Sequence, residues 1–284
     1  ARILDNWLCT PTGVRPRGGS VKHATLTGPV TALFAYNSTT DAFFGATADA
    51  IFTITSPADP EVALTATISG QTSGDYSTAQ FGTAGGDFLY AVNGTDDPQL
   101  FNGTTWTAID GVSTPAITGV TTSGLSQVWS FANRLFFVQG GTMVAWYLPV
   151  DSIGGAANSF SLAGVFRKGG SLLFGTAWSQ DSGAGLDDKC IFVSTEGEVA
   201  VYAGTNPGSA ADWALQGIYA MPKPLGKNAY TQAGGDVLIA TEVGLIPVSA
   251  AIQNDLAALE SKAVSRPITP YWQFQARTIA SGWQ

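Results

Sequence analysis

Asn133-Arg134-Leu135-Phe136-Phe137-Val138-Gln139-Gly140-Gly141-Thr142-Met143-Val144-Ala145-Trp146-Tyr147 is the stretch on which the fold turns. It reads as a turn residue, a short apolar strand, a two-glycine connection and a second apolar strand that ends on an aromatic. Gly140 and Gly141 offer the positive-φ positions that a tight hairpin connection requires. Working outward, the same phrase returns on both sides. Asp41 heads DAFFGATADAIFTI and Asp87 heads DFLYAVNGTDDPQLF; further on, Asp188 heads DKCIFVSTEGEVAVY, with its turn at Glu196-Gly197, and Asp236 heads DVLIATEVGLIPVS. From one head to the next the spacings are 46, 46, 55 and 48 residues, and in three copies a bulky aromatic stands 14 positions after the head: Phe101, Tyr147 and Tyr202.

Before each head lies another candidate strand, at residues 32–36, 77–81, 127–131, 171–177 and 228–232. Each unit therefore holds three or four short strands, the size of a β-propeller blade. One blade cannot bury both of its faces, whereas blades stacked in a ring cover one another. A β-solenoid has a much shorter period, and an immunoglobulin-like sandwich does not repeat itself. The expectation is an all-β chain with a β-propeller-like repeat architecture, in blades of about 46–55 residues. Residues 1–23, with Pro11, Pro16 and the run Arg15-Pro16-Arg17-Gly18-Gly19, read as an extended N-terminal arm packing against another part of the ring. Residues 24–250 form the propeller, and 251–284 a short C-terminal helix and a return segment. The helix is placed at 251–264 (AIQNDLAALESKAV), where Leu256, Leu259 and Val264 can share a face and Asn254 or Asp255 can cap the start. The sequence starts without Met and stops while apolar residues are still arriving, and a sixth head would fall near residue 282. Both ends read as cut from something longer.

Composition agrees with strands. Charged residues make up 12% of the chain, about half the usual ~25%, and Val, Ile, Thr and aromatics outweigh Glu, Lys and Gln. The 34 Gly and 14 Pro imply many turns. So few charges point to a surface that is uncharged or buried against other subunits. The net charge of −8 argues against tight nucleic-acid binding, which needs a basic footprint, but suits a wall past which DNA slides. No apolar run approaches the ~18–20 residues of a membrane span, and no apolar signal segment opens the chain. Cys9 and Cys190 lie outside any CxxC pattern and read as reduced thiols; nothing predicts a disulfide between them.

Catalytic, cofactor and metal residues are expected to be none. His23, the one histidine, has no GxSxG elbow or papain-like cysteine to serve and reads as structural. HExxH, P-loop and strand-linked GxGxxG motifs do not occur. The run Ser179-Gln180-Asp181-Ser182-Gly183-Ala184-Gly185-Leu186-Asp187-Asp188 begins like the Asp-box turn of sialidase propellers, with Leu186 in place of the aromatic. Its carboxylates suit Ca²⁺ in principle; the plainer reading is a solvated hairpin that lengthens its blade. A glycosidase pair is not singled out, because Asp96-Asp97 and Asp187-Asp188 are sequence neighbours that a strand would point to opposite faces. The aromatics read as wedges between blades rather than a sugar platform, and the sequons at Asn37, Asn93 and Asn102 as chance in turn-rich segments.

Several phrases resemble a family of bacteriophage tail nozzle or hub proteins, of the podovirus tail tubular protein B type. They are 132–138 (ANRLFFV), 143–150 (MVAWYLPV), 164–172 (GVFRKGGSL), 185–188 (GLDD), 192–202 (FVSTEGEVAVY) and 234–236 (GGD), with Asn6-Trp7 and 12–19 (TGVRPRGG) in the arm. The likeness covers most of residues 1–250, is strongest over about 129–249, and carries no catalytic motif. It implies a structural, non-enzymatic virion protein, assembled in the host bacterial cytoplasm and placed in the virion tail. It further implies a homohexameric ring that continues the DNA channel, holding the genomic DNA until infection and letting it pass on ejection. Its implied partners are an upstream tail adaptor protein, tail fibres or receptor-binding proteins, and DNA passing without specific binding. The alternative readings are a carbohydrate-binding or glycan-cleaving propeller and a propeller scaffold of some other assembly.

Overall fold

The run Leu135-Phe136-Phe137-Val138 has no polar alternation because both of its faces are covered. All four side chains are fully buried. Leu135 and Phe137 join a cluster with Tyr90, Val92 and Leu100 on one side, while Phe136 and Val138 join Phe192, Ala200 and Tyr202 on the other. Successive residues of a strand point to opposite faces, so one strand serves two interfaces. That is the packing of a propeller blade between its neighbours.

The computed structural model describes residues 7–10, 12–181 and 186–278. An exposed hairpin, β1 (Trp7–Thr10) and β2 (Gly13–Pro16), precedes five blades in a ring. Blade 1 holds β3 (Ala32–Tyr36), β4 (Ala42–Ala46), β5 (Ala50–Thr53) and β6 (Ile68–Ser69). Blade 2 holds β7 (Ser77–Thr83), β8 (Gly86–Val92), β9 (Gln99–Phe101) and β10 (Trp106–Ala108). A parallel bridge of β11 (Ile117–Thr118) with β15 (Gly155–Ala156) flanks blade 3, which is β12 (Leu125–Phe131), β13 (Arg134–Gln139), β14 (Val144–Tyr147) and β16 (Asn158–Ser161). Blade 4 is β17 (Leu172–Asp181), β18 (Leu186–Ser194), β19 (Glu198–Ala203) and β20 (Ala214–Ala220). Blade 5 has three strands, β21 (Tyr230–Ala233), β22 (Asp236–Thr241) and β23 (Gly244–Pro247). Within every blade, consecutive strands pair antiparallel.

The repeat heads mark the turn into the second strand of a blade. Asn133, with φ of 54°, and Ala132 make the tight β12–β13 turn, and Gly197, with φ of 74°, turns β18 into β19. Asp188 is the exception: it lies inside β18, opposite Ser179, because the β17–β18 ladder runs on to the Asp181–Leu186 pair. The longer spacing before Asp188 is this extended hairpin. The closing aromatics Phe101, Tyr147 and Tyr202 are buried between blades, and Tyr202 lies stacked 5.5 Å from Trp213. Removing a ring of this kind costs about 3–5 kcal/mol.

Four buried clusters join blade 1 to 2, 2 to 3, 3 to 4 and 4 to 5. Among the described residues none joins blade 5 to blade 1. The far face of blade 1 is covered in its outer half by Leu26, Leu64 and Ala66, which bury Phe52 and Ile54. In blade 5 the place of a fourth strand is taken by the chain near Ala263: Val264 N donates to Leu245 O at 2.9 Å and Leu245 N to Ser265 Oγ at 3.0 Å. Pro247, which has no N–H to offer, ends that edge.

The C-terminal helical element differs from its expected span. Residues 251–264 are not one helix. α1 (Val248–Gln253) stops at Asn254, which is extended, and α2 (Leu259–Lys262) follows a short 3-10 turn. Leu259 is buried whereas Leu256 and Val264 are exposed, so the three share no buried face; Asn254 caps no helix start but donates from Nδ2 to Ala250 O at 2.9 Å at the end of α1, and Asp255 makes no side-chain cap. Among the described residues the longest helix is α3 (Thr269–Thr278), whose Trp272 donates its indole N–H to Thr241 O at 2.8 Å. The sixth head near residue 282 lies outside the described residues.

Candidate functional site

The innermost strand of each blade presents one edge to the axis, where its N–H and C=O groups need partners. Side chains from distant blades supply them. Gln127 on β12 is fully buried; its amide accepts from Gly175 N at 3.2 Å and donates to Gly175 O at 3.1 Å on β17. The same amide donates to the Tyr230 hydroxyl at 3.0 Å on β21, so one glutamine ties blades 3, 4 and 5. The Tyr230 ring stacks on Phe174, centroids 4.5 Å apart. Its burial raises the phenol pKa, partly offset by the bond to Gln127. On the neighbouring interface Val128 N donates to Ser77 Oγ at 3.4 Å.

Blade 5 is joined across the axis to blade 2. Lys227 is largely buried and donates to Asp75 O at 2.7 Å and to Asn93 O at 3.3 Å, and it pairs with the Asp75 carboxylate at 3.2 Å. Desolvation pulls its pKa below the usual lysine range, and Asp75 opposes the shift. Asn228 donates to Asp75 Oδ1 at 3.3 Å and to Tyr76 O at 3.1 Å. Beside this junction lies a cavity of about 690 Å³ bounded by the inner strands of blades 1, 2 and 5, with Thr31, Leu33, Ser77, Thr78 and Thr231 on its walls. Its hydroxyls and carbonyls suit water or a neutral polar group. The junction's chemistry is that of a clasp: every charged or amide group in it is spent on holding strands together.

The residues weighed in the sequence are placed as follows. His23 bonds through Nε2 to Ile54 O at 2.8 Å, fixing the chain where it joins blade 1. Asp96 and Asp97 sit in the β8–β9 turn rather than on a strand, and they are engaged separately. Asp96 accepts from Thr72 N at 2.8 Å, Thr72 Oγ1 at 2.7 Å and Asn93 Nδ2 at 2.7 Å, while Asp97 accepts from Thr122 Oγ1 at 2.6 Å. Burial raises the Asp96 pKa, but hydrogen bonds from Thr72, Asn93 and Ser73 outweigh it and hold the group below the ordinary carboxylate range. Asn93 and Asn102 build Asx turns, accepting from Asp96 N at 2.9 Å and Thr105 N at 2.8 Å. Residues 182–185 of the partial Asp box, and the side chains of Asp181 and Asp187, lie outside the described residues, as does the Cys9 side chain. Asp188 is exposed and accepts from Ser179 Oγ at 2.5 Å. Cys190 is buried in the core between blades 3 and 4. Among the described residues no three His, Cys, Asp or Glu come together to hold a metal. The clasp residues Gln127, Asp75 and Lys227 were not legible as a group, since their partners stand 48 to 152 positions away.

No protein-family model and no curated protein matches the chain. Among solved structures it is similar to one described as the crystal structure of BBS1N in complex with ARL6DN, soaked with mercury. The identity is 11%, the TM-score 0.39, and the match covers 81% of this chain and 77% of that one. So loose a likeness assigns neither family nor function. The propeller assignment stands on the pairing and packing of the five blades.

Proposed function

We propose that this chain is a non-enzymatic structural subunit of a bacteriophage tail nozzle or hub. Six copies form a ring that continues the DNA channel, retains the genome before infection and lets it through on ejection. The observation that carries this reading is the phrase-level resemblance over residues 129–249, which falls on the strands and connections of blades 3, 4 and 5. The acidic balance of −8 supports it, because a negative lumen wall repels phosphate and lets DNA slide. The scarcity of charge supports extensive contact with neighbouring copies, an upstream adaptor and the fibres. A clasped propeller offers the stiffness that a subunit under pressure from packaged DNA needs.

Immunogold electron microscopy tests the reading, with antibodies raised against the purified chain and applied to intact particles. Label at the distal end of the tail, with no turnover of host surface glycans by the purified chain, is the expected result. Label on the capsid or on no particle component rejects the tail assignment. Glycan turnover moves the carbohydrate-cleaving alternative to the front.

A further inference from the structure

The charges along this chain are segregated. Residues 1–22 carry Arg2, Arg15, Arg17 and Lys22 against Asp5, a net charge of +3. Residues 23–133, which include blades 1 and 2, carry nine acidic residues and no Lys or Arg at all. Of these, Asp75 is paired with Lys227. Asp41, Asp49, Asp59 and Glu61 are exposed, all of them on blade 1.

Two apolar surfaces accompany this split. The β1–β2 hairpin exposes Trp7, Leu8 and Val14, and Val21 on the segment behind it is 94% exposed. Among the described residues, Arg15 and Arg17 make no ion pair, and the tie of residues 7–22 to the blades is Lys22 Nζ donating to Pro60 O at 3.1 Å. An isolated two-stranded hairpin is marginal in water, so this one needs a surface to lie on. Two apolar side chains stay open on the far face of blade 1: Leu33, on the wall of the axial cavity, is 59% exposed, and Phe43 is 37% exposed, while Gly45 beside them is covered by Leu26 and Ile54. Asp41 stands two residues before Phe43, and Glu61 stands in the β5–β6 loop, whose Ala58 N and Leu64 N donate to His23 O and Thr25 O where the arm begins.

We propose that the arm of one copy docks on the far face of blade 1 in a second copy. Leu8, which stands opposite Arg15 and shares its face of the hairpin, lies against Leu33 and Phe43, while Arg15 and Arg17 meet the acidic rim at Asp41 and Glu61. The contact is head to tail, since arm and receptor are different surfaces of the same chain, and such contacts close into rings or run on as filaments. The proposal deepens the ring reading by naming the joint between neighbours, and rests on that reading only for the number of copies.

Sedimentation velocity across a wide concentration range tests it on three proteins: the wild type, R15E/R17E and D41K/E61K, each checked for an unchanged melting temperature. Wild type associates, and more weakly at high salt, as exposed charges are screened. Either reversal raises the dissociation constant roughly tenfold or more. Mixing the two reversed proteins restores association between unlike copies, because each supplies the surface the other lacks. Association that survives R15E/R17E unchanged overturns the arm as the joint and leaves a ring built through other surfaces. A wild type that stays monomeric throughout overturns the proposal outright. So does an R15E/R17E protein that melts lower yet associates as before, since the arm would then be lying on its own blade. The ring reading itself is judged separately by the position of the immunogold label.

Discussion

Replacing Gln127 by leucine opens the clasp at its most buried point. The new side chain has similar length and no polar atoms. It leaves Gly175 N–H and Gly175 C=O without the partners now held at 3.2 and 3.1 Å, and removes the 3.0 Å bond to the Tyr230 hydroxyl, which still has Thr176. Each orphaned buried group costs about 1–3 kcal/mol. The Tyr230 hydroxyl keeps its bond to Thr176, so the two glycine groups set the sum at about 2–5 kcal/mol. For a chain of this length one kcal/mol moves the melting temperature by about 2 °C, which predicts a fall of about 4–10 °C. Urea unfolding followed by tryptophan fluorescence, with a parallel calorimetric scan, reads both quantities. Gln232→Ala is the control, because that glutamine also reaches across blades, to Ala177 O at 3.3 Å, but from an exposed position; its loss should stay within about 0.5 kcal/mol. If Q127L and Q232A cost the same, burial is not what gives the axial amide its weight and the clasp is wrong.

Three further outcomes follow from the same contacts. Lys227→Met removes two hydrogen bonds and an ion pair that bridge blades 5 and 2, and should cost about 1–3 kcal/mol, less than a fully buried pair because Asp75 is partly solvated; urea midpoints check it, and Asp75→Asn added to it should cost little more. Asp110 is held below the ordinary carboxylate range by backbone N–H groups of Val112 and Ser113, and Asp212 by those of Thr205 and Asn206. With Asp96 they contribute stability that is present above the unfolded carboxylate pKa of about 3.9 and is lost as pH falls through the lower folded values. Melting temperatures should therefore drop on that acid limb, and more shallowly in D96N/D110N/D212N. Burial pushes the Cys190 thiol well above its usual pKa, so in a Cys9→Ser background a thiol reagent at mildly alkaline pH should label the protein only on unfolding.

Much of the architecture is written locally. β3 begins and ends where the apolar run at residues 32–36 does, and Gly197 marks the β18–β19 turn, because hairpins are built from neighbours in sequence. Leu135-Phe136-Phe137-Val138 announces a strand covered on both faces. The C-terminal segment misleads for a physical reason. The spacing of Leu256, Leu259 and Val264 suits a helix, but Val264 is drawn out of it by the backbone bond to Leu245 that seals the edge of blade 5. The clasp is beyond a local reading altogether. Nothing near Gln127 says that its amide completes the edge of a strand 48 residues away, or that Lys227 will reach Asp75. The open contact between blades 1 and 5 is hidden for the same reason, since it depends on which faces stay uncovered once the ring is formed.

The most direct test of the central claim is a cryo-EM reconstruction of the intact particle's tail, with the chain traced into density without assuming its place. A ring of six propellers around an axial channel, with the arm of each resting on blade 1 of the next, is the predicted result. Isolated or threefold copies at the periphery, away from the channel, would contradict it.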